Sequence, residues 1–285
     1  MDKKYWESFY QKRNIHQGYC EKIMTPLQKH VYEIMVVIDR LCEEHGIPYF
    51  LSFGTALGAL RHKGFIPWDD DADIGMLRPD YERFLKLCAE KLPDGYSLQH
   101  FSVDKHVYVA FAKILDTRTR VRAEGVTHPS VRQHVYLDIF PVDRVPKSAL
   151  KRRLQLVGLR LLHGLLEIKY VNHAAPNWRN KMLVWFLRPL LPSGCVMAGA
   201  FDRLSAWGEK QGSNEVWQAE APYAAERTTY PLEWVSKRRR ARFEHGEFWI
   251  PAEAEKCMEK TYGDYMTPPP PEKRPTHGRE LLLES

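Results

Sequence analysis

Residues 54–75 read GTALGALRHKGFIPWDDDADIG, and this stretch carries more chemical information than any other part of the 285-residue chain. It opens with a glycine and a threonine, continues through a basic triplet at 61–63, and places four aspartates at positions 69, 70, 71 and 73. Carboxylates this close together repel one another, and the apolar residues on both sides limit their solvation. A divalent cation commonly offsets such repulsion, so the stretch predicts a metal site.

The residues that follow Asp70 alternate in polarity as a strand does. On a strand, Asp71 and Asp73 point the same way and lie roughly 6.6 Å apart. Two such carboxylates can share one or two Mg²⁺ ions, with Mn²⁺ as an alternative, and these ions would stabilise a phosphoryl group during transfer. A solvated acidic turn and a calcium loop are the competing interpretations. The calcium loop is disfavoured because the glycine and the distal glutamate of an EF-hand are missing.

A third carboxylate is expected from another strand, and Asp138 is the best candidate. Residues 135–140, VYLDIF, alternate in a way that places Asp138 opposite its apolar neighbours. We therefore predict that it completes the metal set and takes part in catalysis. Alternatively, Asp138 caps a turn before Pro141, or Asp116 or Asp143 supplies the third carboxylate.

Several residues near the aspartates are predicted to bind an anionic substrate. A glycine-threonine turn after a strand offers backbone N–H groups and a hydroxyl to a phosphate, and basic side chains offset its charge. A lysine on an apolar strand also suggests a nearby anion. The alternative is that the basic triplet is a solvated surface. The predicted substrate-binding residues are Gly54, Thr55, Arg61, His62, Lys63 and Lys113.

The hydrophobic periodicity predicts an α+β fold with a mixed sheet. Thr25 and Gln28 form a capping-box pattern with proline between them, so a helix is expected from Thr25 to about Gly46. A second helix is predicted over 79–92 and short helical turns over 56–62. Strands are predicted at 48–53, 71–77, 96–101, 107–115 and 135–140.

The chain divides by composition into three predicted parts. Residues 1–146 form the catalytic core, 147–227 a basic and mainly helical insertion or subdomain, and 228–285 a C-terminal segment that returns to the core. Nine Lys or Arg residues and one glutamate fall within 147–188. An apolar stripe at helical spacing lies within this region: Leu154, Val157, Leu161, Leu165 and Ile168. It could pack on the core, or it could lie on an anionic membrane surface.

The composition also argues against several classes of protein. The five cysteines are odd in number and include no C-x-x-C pair, which is typical of neither a disulfide framework nor a zinc site. The first residues have no apolar secretion signal. We therefore expect a cytoplasmic location, with peripheral contact on the inner membrane face as an alternative. The basic run 237–242 would suit nucleic acid, but no recognition motif accompanies it, so no nucleic-acid partner is expected.

The motif at 54–75 resembles the signature of the LicD family, which is similar to fukutin-type phosphotransferases and belongs to the nucleotidyltransferase superfamily. KILDT at 113–117, YLDIFPVD at 136–143 and YGDYM at 262–266 extend the resemblance. It implies a nucleotidyltransferase-like core in which Asp71 and Asp73 are the metal pair and Asp138 the third carboxylate. Asp69 also fits the motif, whereas Asp70 falls where more variation is expected.

The resemblance also implies an activity, the transfer of a phosphoalcohol to a sugar hydroxyl of a surface glycan. Phosphocholine from CDP-choline is the favoured donor group, with release of CMP, and the acceptor could be lipid-linked. The enzyme alternatives are a transferase that uses CDP-ethanolamine or a CDP-polyol, and a nucleotidyltransferase. The non-enzyme alternative is a protein that binds nucleic acid or a membrane surface. A choline group would need aromatic rings around it. The candidates are Trp68, Tyr108, Tyr136, Tyr170, Trp217, Tyr223, Trp234 and Trp249.

Overall fold

The structure is a computed structural model that describes residues 24–105, 107, 109–123, 132–170, 188–211, 213–218, 225–274 and 279–284. Within these ranges the helices are α1 (Pro26–Glu44), α2 (Phe53–Arg61), α3 (Arg78–Lys91), α4 (Ala149–Tyr170), α5 (Gly194–Ser205), α6 (Leu232–Ser236) and α7 (Ala254–Tyr262). The strands are β1 (Phe50–Leu51), β2 (Asp73–Leu77), β3 (Tyr96–Gln99), β4 (Ala112–Asp116), β5 (Thr119–Ala123), β6 (Val135–Arg144), β7 (Glu215–Trp217), β8 (Thr229–Pro231), β9 (Arg238–Phe243), β10 (Gly246–Pro251) and β11 (Arg279–Glu284).

The main sheet has seven strands, with β1, β2, β6, β4 and β3 side by side and β7 and β8 continuing from β6. β2 and β6 run parallel, and every other pair in this sheet is antiparallel. The fold is therefore α+β with a mixed sheet, as predicted. Two antiparallel pairs lie outside the main sheet, β9 with β10 and β5 with β11.

Helix α1 supplies one side of the main core. Its capping box is present: the Thr25 hydroxyl accepts from the Gln28 backbone, and the Gln28 side chain accepts from the Thr25 N–H. Val31, Ile34, Met35 and Ile38 recur at helical spacing and are fully buried with apolar residues of β2 and β6. Burial of this stripe stabilises the helix more than its intrinsic propensity does.

Several predicted boundaries need correction. β2 begins at Asp73 rather than at residue 71, because the preceding residues form a loop in which the Asp69 N–H bonds the Ile66 carbonyl. β1 is two residues long. β4 begins at Ala112 rather than at residue 107. Ala112, opposite Ile139, is the first residue of β4 that pairs with β6.

The helical region after residue 146 packs as a smaller unit on the end of the sheet. Helices α4 and α5 bury a second apolar cluster that includes Leu159, Phe201 and Trp217. The β7 strand lies within the predicted insertion 147–227, yet it pairs with β6 of the core. The boundaries at 146 and 227 remain predictions, and residues 171–187 of this region lie outside the described part.

A buried ion-pair network joins the two units. The Arg78 guanidinium donates to both carboxylate oxygens of Asp143 at 2.6 and 2.7 Å, and its third nitrogen donates to Asp202 at 2.6 Å. The Ser205 hydroxyl also donates to Asp143. Arg78 begins α3 directly after β2, and Asp143 lies near the end of β6. The network therefore clamps the ends of the two parallel strands to α5.

The basic run 237–242 is built into the fold. Most of it forms β9, where Arg238 and Arg240 each lie 4.6 Å from the Trp249 ring. Arg240 also pairs with Asp39 and Glu43 at 2.7 and 2.9 Å. Much of the positive charge that suggested a polyanion is thus used within the protein.

Two further sequence expectations can be compared with the described residues. Among them, no helix is long and apolar enough to cross a membrane. The four cysteines that they include are free thiols.

Candidate active site

A pocket of about 700 Å³ lies where α2, β2 and β6 meet the C-terminal part of the chain. Two segments that line it are named here: the acidic loop, residues 66–72, and the C-terminal arm, residues 262–274. The lining residues are Phe53, Gly54, Leu57, Arg61, Ile66, Trp68, Asp69, Asp71, Asp73, Asp138, Phe140, Tyr262, Asp264, Tyr265, Thr267 and Pro269. The volume is in the range that suits a nucleotide-sized ligand.

The pocket gathers the carboxylates predicted from the sequence. Asp73 and Asp138 are register partners on the parallel strands β2 and β6, and Asp71 lies on the acidic loop just before them. Oxygens of Asp69, Asp70 and Asp71 come within 4.8 Å of one another. Carboxylate oxygens are the ligands that Mg²⁺ and Mn²⁺ prefer, so the residues present fit a divalent cation.

Two hydrogen bonds hold the acidic loop in place. The buried Gln28 side chain of α1 donates to the Asp69 carbonyl at 2.7 Å. The Asp73 N–H donates to the Thr55 hydroxyl at 2.8 Å. Thr55 is buried and does not line the pocket. Its predicted phosphate contact stays a prediction. In the structure, the Thr55 hydroxyl accepts a hydrogen bond from the first residue of β2, Asp73.

Gly54 allows the acidic loop to approach α2 closely. A Cβ atom at this position would stand 2.8 Å from an Asp69 carboxylate oxygen, too close for the present packing. The preceding residue, Phe53, has φ of +43°, a conformation uncommon for a bulky side chain. Its ring packs edge-on against Phe140 on β6, with centroids 5.6 Å apart. Strained backbone of this kind clusters at functional sites.

Lys113 and Asp138 form a buried ion pair. The Lys113 ammonium lies 2.7 Å from an Asp138 oxygen, and the side chains are 4% and 9% exposed. The ammonium also lies 3.5 Å from the Tyr136 ring centroid. Asp73, Asp138 and Lys113 thus stand in one row across β2, β6 and β4. The anion that the sequence suggested near Lys113 is, in this structure, the Asp138 carboxylate; contact with a substrate stays a prediction.

Of the basic triplet, Arg61 lines the pocket. Its guanidinium donates to the Tyr265 carbonyl of the C-terminal arm at 2.6 Å. His62 lies behind the pocket against Trp68, and burial, together with the Arg61 charge, lowers its pKa to about 4. The exposed Lys63 follows the end of α2 and donates to the Leu60 carbonyl. Neither His62 nor Lys63 lines the pocket, and their substrate contacts remain predictions.

The alternative third carboxylates lie in other settings. Asp116 is fully buried and bonds Arg118 at 2.8 Å. Asp143 belongs to the network with Arg78 described above. Neither lines the pocket, so among the three candidates the structure brings Asp138 to Asp71 and Asp73.

The C-terminal arm contributes residues that the sequence analysis did not assign to the site. Tyr262, Asp264 and Tyr265 line the pocket. Tyr262 is 44% exposed, and the burial of part of its side chain together with the nearby carboxylates, Asp73 above all, raises its pKa, so its phenol stays protonated and can donate a hydrogen bond. The YGDYM motif at 262–266 was the available signal, but nothing local shows that these residues return to α2.

Aromatic rings share the pocket with the carboxylates. Among the aromatic candidates named from the sequence, Trp68 lines it, and the Arg274 guanidinium lies 4.2 Å from the Trp68 ring centroid. Tyr136 contacts Lys113, and Tyr170, Trp217, Trp234 and Trp249 lie outside the lining. Tyr108 and Tyr223 are outside the described residues.

Comparison with known proteins identifies a family domain within the chain. A model of the LicD/FKTN/FKRP nucleotidyltransferase domain matches residues 46–153, which include α2, the acidic loop, β2 and β6. The lipopolysaccharide cholinephosphotransferase LicD of Haemophilus influenzae is 26% identical over 269 residues, covering 88% of this chain and 94% of that protein. Residues 46–153 therefore carry a LicD-family domain. The predicted resemblance is confirmed.

Two shorter matches each cover about a quarter of the chain. The ribitol-5-phosphate transferase FKTN of Mus musculus is 32% identical over 73 residues, 26% of this chain and 15% of that protein. An uncharacterized protein of Rickettsia typhi is 37% identical over 70 residues, 25% of this chain and 23% of that protein. The LicD-family domain model ends within α4, so most of the helical region and the C-terminal arm lie beyond it.

Proposed function

We propose that this LicD-family phosphotransferase moves phosphocholine from CDP-choline to a hydroxyl of a cell-surface glycan and releases CMP. The observation that carries the proposal is the pocket, in which five carboxylates and several aromatic rings meet. The Haemophilus influenzae relative, named as a lipopolysaccharide cholinephosphotransferase, matches over most of both chains and supports the same head group and a glycan acceptor.

The proposed cofactor is Mg²⁺, with Mn²⁺ as an alternative. Asp71, Asp73 and Asp138 would hold it, and Asp69 is close enough to Asp71 to join them. When bound, the cation would neutralise the donor diphosphate and stabilise charge on the transferred phosphoryl group.

The pocket residues suit an in-line displacement. The acceptor oxygen attacks the phosphorus that carries choline, the bond from that phosphorus to the bridging oxygen breaks, and CMP leaves with the electron pair. Asp138 accepts the acceptor's proton, while Lys113 holds its carboxylate in place. Arg61 offsets negative charge on the donor, and the protonated Tyr262 donates a hydrogen bond.

The aromatic lining is what favours choline. A quaternary ammonium cannot donate hydrogen bonds and is held by the faces of aromatic rings. The Trp68 ring lines the pocket and makes a cation–π contact with the Arg274 guanidinium at 4.2 Å. Tyr262, Tyr265 and Phe53 line the same pocket.

The decisive experiment follows CMP release from CDP-choline by the purified protein, with and without Mg²⁺ and with and without a glycan acceptor. Release that requires the metal and accelerates with acceptor supports the proposal. Release from CDP-ethanolamine or CDP-ribitol alone keeps the reaction and replaces the head group; the ribitol-5-phosphate transferase relative makes that comparison worthwhile. Attachment of the nucleotidyl group to the acceptor indicates nucleotidyl transfer, and no reaction with any CDP-alcohol refutes the proposal.

Aspartate variants test the metal set. Asp71→Asn should lower turnover at least about 100-fold with the fold intact, whereas Asp94→Asn, on an exposed turn, should leave it unchanged. Near-normal turnover of Asp71→Asn would refute the assignment. Asp70→Asn distinguishes the proposed set of Asp71, Asp73 and Asp138 from the cluster of Asp69, Asp70 and Asp71. Asp70 belongs only to the cluster and does not line the pocket.

A further inference from the structure

Helix α4 carries two apolar faces, and one of them is exposed. Its buried residues are Gln155, Leu159, Leu166 and Tyr170, on the side that packs against α5 and the second apolar cluster. On the opposite side, Leu150, Leu154, Val157 and Leu161 are 68%, 56%, 58% and 62% exposed. Spacings of four, three and four residues place these side chains within about 60° of one line along the helix. We call these four residues the exposed stripe.

Part of the stripe predicted from the sequence therefore faces solvent instead of the core. Large apolar side chains exposed singly are ordinary, but four in a row on one helix face are typical of an interaction surface. Leu190, which is 79% exposed, lies in a turn at the end of the same helix, where Arg188 donates to the Ile168 carbonyl.

Positive charges flank the exposed stripe on both sides. At 100° per residue, Lys151 falls to one side of it and Arg153 to the other, and both are exposed. Arg160 lies on the same side as Arg153. Long basic side chains beside an apolar stripe can reach lipid phosphates while the apolar residues enter the interface between head groups and acyl chains.

We propose that the exposed stripe of α4 and its flanking cations dock this protein on an anionic lipid surface. A second copy of the chain fits the face less well, because a two-fold contact through the stripe would bring the flanking cations together. An anionic bilayer satisfies the apolar residues and the charges at once. Docking would hold the pocket near acceptors anchored in lipid, but lipid binding does not depend on the identity of the reaction.

The test is sedimentation of the full chain with vesicles of phosphatidylcholine alone or with added phosphatidylglycerol. We expect binding to the anionic vesicles that weakens as salt rises. Leu154→Ser/Val157→Ser/Leu161→Ser should weaken partitioning at least about tenfold, whereas Val103→Ser, which also removes an exposed apolar side chain, should not.

Two double variants test the contribution of the flanking positive charges. Lys151→Gln/Arg153→Gln should weaken binding by about tenfold to thirtyfold. The control Lys86→Gln/Lys91→Gln removes the same charge from exposed positions on α3 and should bind as the unmodified chain does.

Three results would overturn the proposal: no binding to anionic vesicles, equal binding by the face variants and their controls, or a dimer in light scattering that becomes monomeric in the triple variant. Circular dichroism of each variant checks that the fold is retained. CMP release with a water-soluble acceptor is measured separately, so loss of lipid binding and loss of the proposed chemistry can be told apart.

Discussion

Replacing Lys113 by methionine tests the row of charges across β2, β6 and β4. Lys113 and Asp138 are almost fully buried and 2.7 Å apart, and removing one partner of such a pair costs about 3–5 kcal/mol. Asp138→Asn should cost a similar amount, because it leaves the ammonium buried without its carboxylate. The double variant leaves neither charge, so it should be more stable than the sum of the single losses predicts, by at least about 2 kcal/mol.

The measurement is urea unfolding of the four proteins in a chelating buffer, with Lys86→Met on the exposed face of α3 as the control. We expect the control to change the free energy of unfolding by less than about 0.5 kcal/mol. A loss below about 1 kcal/mol for Lys113→Met, together with additive single losses, would refute the reasoning.

The same variant separates two roles for Lys113 in catalysis. If Lys113 acts by holding Asp138, Lys113→Met should lower kcat and leave the KM for CDP-choline within about threefold. If Lys113 contacts the donor phosphate, as the sequence analysis expected, KM should rise by about tenfold or more.

Other predictions concern packing, the buried network and pH. Gly54→Ala should lower kcat at least about tenfold, because its methyl group would stand 2.8 Å from an Asp69 oxygen. In the control Gly164→Ala, the added Cβ would meet no atom within 4 Å, so this variant should instead raise the free energy of unfolding by about 0.5–1 kcal/mol. Equal activities of the two variants would contradict the prediction for Gly54. Arg78→Met should lower the free energy of unfolding in urea by about 3–5 kcal/mol, since the buried Asp143 and the partly buried Asp202 lose their cation. A loss below about 1 kcal/mol would contradict this prediction. Burial and the Arg78 charge lower the pKa of His100 to about 4, below the value of about 6.5 in an unfolded chain. The unfolded state therefore binds the proton first as the pH falls, and stability should decline by about 1.4 kcal/mol per pH unit between pH 6 and pH 4.5 from this residue. His100→Gln should show a correspondingly shallower decline in urea unfolding across that range, and an unchanged slope would contradict the assignment.

Much of the carboxylate arrangement could be predicted because strand alternation is a local signal. The alternation around Asp73 and Asp138 identifies the polar positions of two strands, and the structure pairs those residues in register. The capping box of α1 was predictable for the same reason, since both of its partners lie within one helical turn.

The roles of Thr55 and Lys113 were less accessible because their partners are distant in sequence. Thr55 bonds the backbone of Asp73, and Lys113 pairs with Asp138 across two strands. A hydroxyl or an ammonium in isolation suggests a ligand, and only the register of the sheet shows that the protein itself supplies the partner.

Helix α4 shows the limit of periodicity. Leu154 and Leu161 form a regular stripe, but Leu159 and Leu166 form another on the opposite side. When two faces of a helix are apolar, sequence spacing cannot decide which one packs on the protein. That choice depends on where α5 lies.

The position of the C-terminal arm in the sequence determines when the pocket can be completed during translation. Tyr262 and Asp264 line the same pocket as Gly54 and Arg61, yet they are translated roughly 200 residues later, about 10–40 s at ordinary rates of synthesis. A ribosome-bound chain can have its acidic loop in place while the arm is still missing. Such a chain lacks part of the pocket lining, so we expect the pocket to be complete only after translation has passed the arm.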